Sequence, residues 1–206
     1  MAPATSSTII EEIDDMKKSG LASLAFFYCD FREDQKRDLR GLLTSVLFQL
    51  CHQSDSYYDI LSKFYSANWN GAQPHSDDAL VRCLEDILKL QGQAPIYLIF
   101  DALDECSNTS SIPSNREKTL KLVEKLIKWQ LPNLHICVTS RPEVDIKVVL
   151  EPLTFRSISL HDERGQIEDI EGYIKWVVEK DQSNRMWTAQ DKQTVIDILT
   201  RHADGM

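Results

Sequence analysis

The 206-residue chain is poor in glycine, with seven, at Gly20, Gly41, Gly71, Gly92, Gly165, Gly172 and Gly205. None of them precedes a lysine. That excludes a G-x-x-x-x-G-K-[ST] segment, the loop whose backbone amides cradle phosphates, from these residues. Long apolar runs are also lacking, so no stretch is suited to crossing a bilayer, and no charged-then-apolar leader opens the chain. Positive charge is in deficit: 23 Lys and Arg against 32 Asp and Glu give a net charge of −9. A general nucleic-acid or anionic-membrane surface is disfavoured, and neither partner is expected, while a local anion pocket stays open. Cysteine is sparse and unpaired in sequence. Cys29, Cys51, Cys83, Cys106 and Cys137 are odd in number and form no C-x-x-C. They read as reduced structural thiols, and the location expected is cytoplasmic. No internal repeat is visible, which excludes a repeat array within this chain.

What is present is enough residues for one sizeable core, with ordinary apolar and charged fractions. The chain is organised around Ile96-Tyr97-Leu98-Ile99-Phe100, followed at once by Asp101-Ala102-Leu103-Asp104-Glu105-Cys106. Five apolar residues without a polar break read as a strand buried on both faces, as in a parallel sheet. The carboxylates then fall at the strand's carboxyl end, where open α/β sheets bind ligands. Three of them within five residues repel one another unless they are solvated or face a cation. Hydrated Mg²⁺ with a phosphate suits them, because Mg²⁺ favours oxygen ligands and one or two carboxylates. A strand followed by a polar turn is the plainer alternative.

A second strand, Leu134-His135-Ile136-Cys137-Val138, ends in Thr139-Ser140-Arg141-Pro142. An arginine at that end, beside a neighbouring strand's carboxylates, can meet phosphate oxygens with a bidentate fork. A surface Arg paired to Asp or Glu is the alternative and contributes little.

Around these strands the pattern alternates. Ile9, Ile13 and Met16 are spaced as a helix that stops at Gly20, and Leu21 to Cys29 reads as a buried strand. Leu39, Leu42, Leu43, Val46, Leu47 and Leu50 form a wide helical stripe, and Tyr57, Ile60, Leu61, Phe64 and Tyr65 a shorter one. Leu80, Leu84, Ile87 and Leu88 mark the helix before the acidic strand. Leu120, Val123, Leu126 and Ile127 mark the helix before the second motif strand. Ser107 to Asn115 reads as a loop, and Phe155 to Leu160 alternates as a possible last strand. Helices are expected over Ile167 to Val178 and around Val195 to Leu199, the latter capped by Thr188 with Asp191. Strands separated by helices predict an α/β fold with a parallel sheet.

Asp101 to Cys106 resembles the Walker B segment of NACHT-domain NTPases, and Val138-Thr139-Ser140-Arg141-Pro142 resembles their sensor 1. The chain is most similar to the fungal group of these signalling P-loop NTPases (the STAND class) that has a nephrocystin-like region. The resemblance runs from about Ser6 to Met206. It implies a P-loop NTPase-like sheet flanked by helices, sheet-bearing over about 21–160 and helical over about 163–206. It implies Mg²⁺ with ATP or GTP as cofactors in the intact family, and other NACHT chains as oligomeric partners. Asp101 would then bind the metal, and Asp104 or Glu105 would orient the attacking water. Thr139, Ser140 and Arg141 would sense the γ-phosphate.

In that family the phosphate loop directly precedes a segment like Ser6 to Ile13, whereas this chain has Met1-Ala2-Pro3-Ala4 there. The resemblance thus leads us to expect a fragment lacking the loop and its strand, with little or no nucleotide binding and no bound cofactor. It also predicts the order of the sheet: Leu24–Tyr28 beside Ile96–Phe100 beside Leu134–Val138, with Phe155–Leu160 displaced or poorly paired. A non-catalytic remnant or interaction module is the competing expectation, and a metal-dependent hydrolase without a P-loop is a third.

Overall fold

A computed structural model describes residues 3–33, 36, 38–68, 75–108, 112–159, 164–180 and 187–202. Two compact units divide the chain, residues 2–154 and residues 155–206.

The first unit is an α/β layer. Its three strands, β1 (Ser23–Tyr28), β2 (Ile96–Asp101) and β3 (Leu134–Val138), pair in parallel in the order β1-β2-β3. Phe27 lies opposite Phe100, and Phe100 opposite Val138. This is the predicted order of neighbours. Six helices belong to it among the described residues: α1 (Pro3–Lys18), α2 (Leu39–Cys51), α3 (Asp55–Asn68), α4 (Asp77–Leu88), α5 (Asn115–Lys128) and α6 (Val144–Leu150).

Strand alternation explains the unbroken apolar runs. Ala25, Phe27, Ile96, Leu98, Phe100, Leu134, Ile136 and Val138 face one core with residues of α2 to α6. Leu24, Phe26, Tyr97, Ile99 and Cys137 face the other, where Ile9, Ile10 and Ile13 of α1 pack. Both faces of the sheet therefore demand apolar side chains. Leu98 and Phe100 are wholly buried, and truncating a residue of this kind to alanine costs about 2–5 kcal/mol.

Local chemistry sets the helix ends. At the end of α1, Gly20 has φ +72°; its N–H donates to Lys17 O at 2.9 Å and that of Leu21 to Met16 O at 2.9 Å. This paired closure needs a left-handed residue, which glycine adopts without steric cost. Asp38 Oδ1 accepts from Gly41 N–H at 2.7 Å to start α2, and Ser76 and Ser114 cap α4 and α5 in the same way. Helix α1 begins six residues ahead of the apolar spacing at Ile9, because Pro3 to Thr8 carry few apolar side chains to mark it. The short α6 was not anticipated, since a single turn or two of helix leaves too little periodicity to read.

The two edges of the sheet differ. Along β1, Gln53 accepts from Leu24 N–H at 2.9 Å and donates to Leu24 O at 2.6 Å. Gln49 does the same for Phe26, at 3.1 and 2.7 Å. Gln49 on α2 and Gln53, two residues past its end, close the edge with their amides as a neighbouring strand otherwise would. The outer edge of β3 pairs with no strand among the described residues.

The second unit holds α7 (Arg164–Lys180) and α8 (Ala189–His202), packed on each other. Thr188 and Asp191 form the expected cap: Thr188 N–H donates to Asp191 Oδ2 at 3.0 Å, and Asp191 N–H to Thr188 Oγ1 at 3.2 Å. Phe155 to Ser159 form no strand, and Phe155 is fully exposed; Leu160 lies outside the described residues. Among the described residues, no helix is long and apolar enough to cross a membrane.

Candidate functional site

The strand order puts the ends of β2 and β3 side by side, so their polar tails meet. Thr139 N–H continues the ladder onto Phe100 O at 2.9 Å, and Leu103 N–H returns to Thr139 O at 3.0 Å. Between these bonds, Thr139 Oγ1 accepts from Ala102 N–H at 2.9 Å and donates to Asp101 Oδ1 at 2.5 Å. The hydroxyl thus fixes both the carboxylate and the first residue of the following turn. Oδ2 of Asp101 is left as the open acceptor among the described hydrogen bonds.

After Asp101 the chain must leave the strand sharply. Ala102 does this in a left-handed conformation, φ 55° and ψ 49°, which costs an alanine roughly 1–2 kcal/mol. A 3-10 turn over Leu103–Glu105 follows, anchored by the buried Leu103. It sends the two remaining carboxylates in different directions. Asp104, with a side chain 9% exposed, accepts from Arg141 N–H at 2.9 Å and lies 3.5 Å from its Nε. The Arg141 side chain is 79% exposed, so its guanidinium is held at one edge only. Glu105 turns toward β1 and accepts from Phe31 N–H at 3.4 Å. Ser140 is exposed and lies between Thr139 and Arg141 on the same loop.

Asp101, Asp104, Thr139, Ser140 and Arg141 are therefore brought together, with Glu105 on the flank facing β1. The three carboxylates do not converge on one point. Among the described residues, no group of three or more His, Cys, Asp or Glu is placed to hold a metal ion. A hydrated Mg²⁺ needs only one or two carboxylates, and Asp101 with an open oxygen fits that requirement. The charge of Asp101 is felt nearby. Burial first, and Asp101 second, push the Tyr28 hydroxyl and the Cys137 thiol above their ordinary values.

Arg116, absent from the sequence expectations, holds the turn from behind. Its side chain is 12% exposed; it donates to the carbonyls of Asp104 and Cys106 and lies 3.4 Å from Asp145 Oδ2 on α6. One signal for it was available, since Ser114-Asn115-Arg116-Glu117 has the S-x-x-E form of a helix start. That places Arg116 in the first turn of α5, at the strand ends. Gln49 and Gln53 carried no such signal, since polar residues on and just after a helix more often face water.

No curated protein and no solved structure matches the chain. The family described as Nephrocystin 3, N-terminal, matches residues 4–141, a span that holds all three strands, Asp101, the acidic turn and Thr139 to Arg141. On that match, covering more than half of its length, the chain belongs to the Nephrocystin 3, N-terminal family.

Proposed function

We propose that the chain is the acidic-turn and sensor portion of a NACHT-type nucleotide switch, and that these 206 residues alone hold nucleotide weakly. The observation that carries the first half is the bond from Thr139 to Asp101 across adjacent strand ends. It supports the reading by joining an acidic strand end to a loop with two hydroxyls and a guanidinium, at the edge where parallel sheets take ligands. When bound, Mg²⁺ would supply charge neutralisation for phosphate oxygens.

The residues divide the work by how they are held. Asp101 would bind the metal's water shell through its open oxygen, with Thr139 fixing the carboxylate plane. Asp104 is occupied by the Arg141 amide, so it would set the sensor loop's position. Glu105, held by one long contact, would turn to orient a water molecule. Arg141, exposed and tethered at its backbone, would reach a terminal phosphate, with Ser140 beside it.

Weak binding follows from the missing G-x-x-x-x-G-K-[ST] segment. Each charge-assisted hydrogen bond it would contribute is worth roughly 1.5–3 kcal/mol. Several together amount to orders of magnitude in affinity. Calorimetry with ATP and GTP in the presence of Mg²⁺ tests this half. No saturable heat is expected at micromolar nucleotide, and Mg²⁺-dependent saturation below about 10 μM, near −7 kcal/mol, would contradict it.

A further inference from the structure

Two buried thiols meet at the acidic turn, one at its end and one just past β1. Cys29 directly follows β1, and its N–H donates to Asp101 O at 3.0 Å. Cys106 closes the 3-10 turn: its N–H donates to Leu103 O at 3.2 Å, and its carbonyl accepts from Arg116 Nε at 3.3 Å. Their sulfurs lie 3.1 Å apart, although the residues are 77 positions apart in sequence. Cys29 is 4% exposed and Cys106 2%. The remaining three thiols are engaged differently: Cys51 donates to Tyr57 O at 3.4 Å, Cys83 is wholly buried in the larger core, and Cys137 packs on the face of the sheet that α1 covers.

A disulfide brings its sulfurs to about 2.05 Å, so this pair must close by only about 1 Å. Both backbones are already fixed at neighbouring strand ends, which removes most of the search for that geometry.

We propose that Cys29 and Cys106 are an oxidisable dithiol, which a small organic disulfide converts into a bond tying the end of β1 to the acidic turn. One cysteine sulfur, as thiolate, attacks a sulfur of the small disulfide and expels one small thiolate. The second cysteine sulfur then attacks the mixed disulfide and expels the other. Two electrons pass from the protein sulfurs to the oxidant, and the two thiol protons end on the two small thiols. The oxidant leaves none of its atoms behind. Burial makes the reaction slow and gated by opening beside the exposed Asn108, two residues after Cys106. The bond would hold Glu105 and Asp104 to the strand, whatever ligand the strand end takes.

The test uses the full chain and glutathione disulfide under native conditions, followed by alkylation, digestion without reductant and mass mapping. The expected product is one linked peptide pair containing Cys29 and Cys106, a loss of two hydrogens, and three alkylated cysteines of the five. Amide exchange over residues 102–106 slows. Cys29→Ser and Cys106→Ser each abolish the link, and Cys51→Ser retains it. Five alkylated cysteines after an incubation that fully oxidises free cysteine would overturn the proposal. So would a link through Cys51, Cys83 or Cys137, or one formed only in denaturant. The wild-type map decides by itself if a serine variant fails to fold.

Discussion

Thr139 donates its hydroxyl to Asp101 across adjacent strand ends at 2.5 Å, and the same oxygen accepts from the Ala102 N–H at 2.9 Å. One side chain therefore sets both the carboxylate and the direction in which the chain leaves β2. Thr139→Val keeps the shape and removes the hydroxyl, leaving a half-buried N–H and carboxylate without their partner. Stability should fall by about 1–3 kcal/mol, while Thr139→Ser retains most of it. Urea denaturation of the three chains checks this, and an unchanged midpoint for the valine variant would contradict it.

The amides of Gln49 and Gln53 should protect β1 as well as stabilise it. Replacing both by alanine removes four hydrogen bonds to the Leu24 and Phe26 backbone. At about 0.5–1.5 kcal/mol each, the loss is a few kcal/mol, and a free strand edge appears. Denaturation combined with light scattering should show lower stability and concentration-dependent association. Loss of stability without association would mean that the edge is not what the amides guard.

Ala102 occupies a left-handed conformation that glycine adopts freely. Ala102→Gly should therefore be neutral or stabilising by up to about 1 kcal/mol, the steric relief being partly offset by greater chain entropy when unfolded. Thermal denaturation measures it. A clear loss of stability would mean that the methyl group packs more favourably than its backbone angles cost.

Arg32 donates to both carboxylate oxygens of Asp30, at 2.9 and 2.8 Å, and holds the Asp30 carboxyl down to about 2, from 3.8. A depressed carboxyl contributes stability above its unfolded value of 3.8 and loses that contribution as pH falls toward about 2. Side-chain carbon NMR of Asp30 should show the low titration, and Arg32→Ala should bring it back toward 3.8. An unchanged titration in that variant would show that Arg32 is not the cause.

The sheet was legible because its central strand is apolar on both faces: Ile96 to Phe100 has no charged or small polar residue to confuse it with an amphipathic helix, while β3 is only half-buried. The neighbours of β2 followed from the family resemblance rather than from periodicity, since a run of apolar residues does not name its partner. The site residues were legible by type and by strand end, but not by direction. Asp101, Asp104 and Glu105 look like one cluster in sequence, but after the left-handed Ala102 each carboxylate takes a different partner. Non-glycine residues rarely take that conformation, so nothing in the letters announced it. The Cys29–Cys106 contact depends on segments 77 positions apart in the chain, which local reading does not join.

In the function we propose, the end of β2 and the loop after β3 together form a cation-assisted phosphate site of low affinity. Amide relaxation in the 206-residue chain, with Mn²⁺ as the paramagnetic probe and ATP titrated to millimolar levels, tests it most directly. Selective broadening is expected at Ala102, Ser140 and Arg141; it needs both Mn²⁺ and nucleotide, does not saturate at micromolar ATP, and disappears in Asp101→Asn. Broadening that is uniform over the surface, or that persists unchanged in Asp101→Asn, would contradict it.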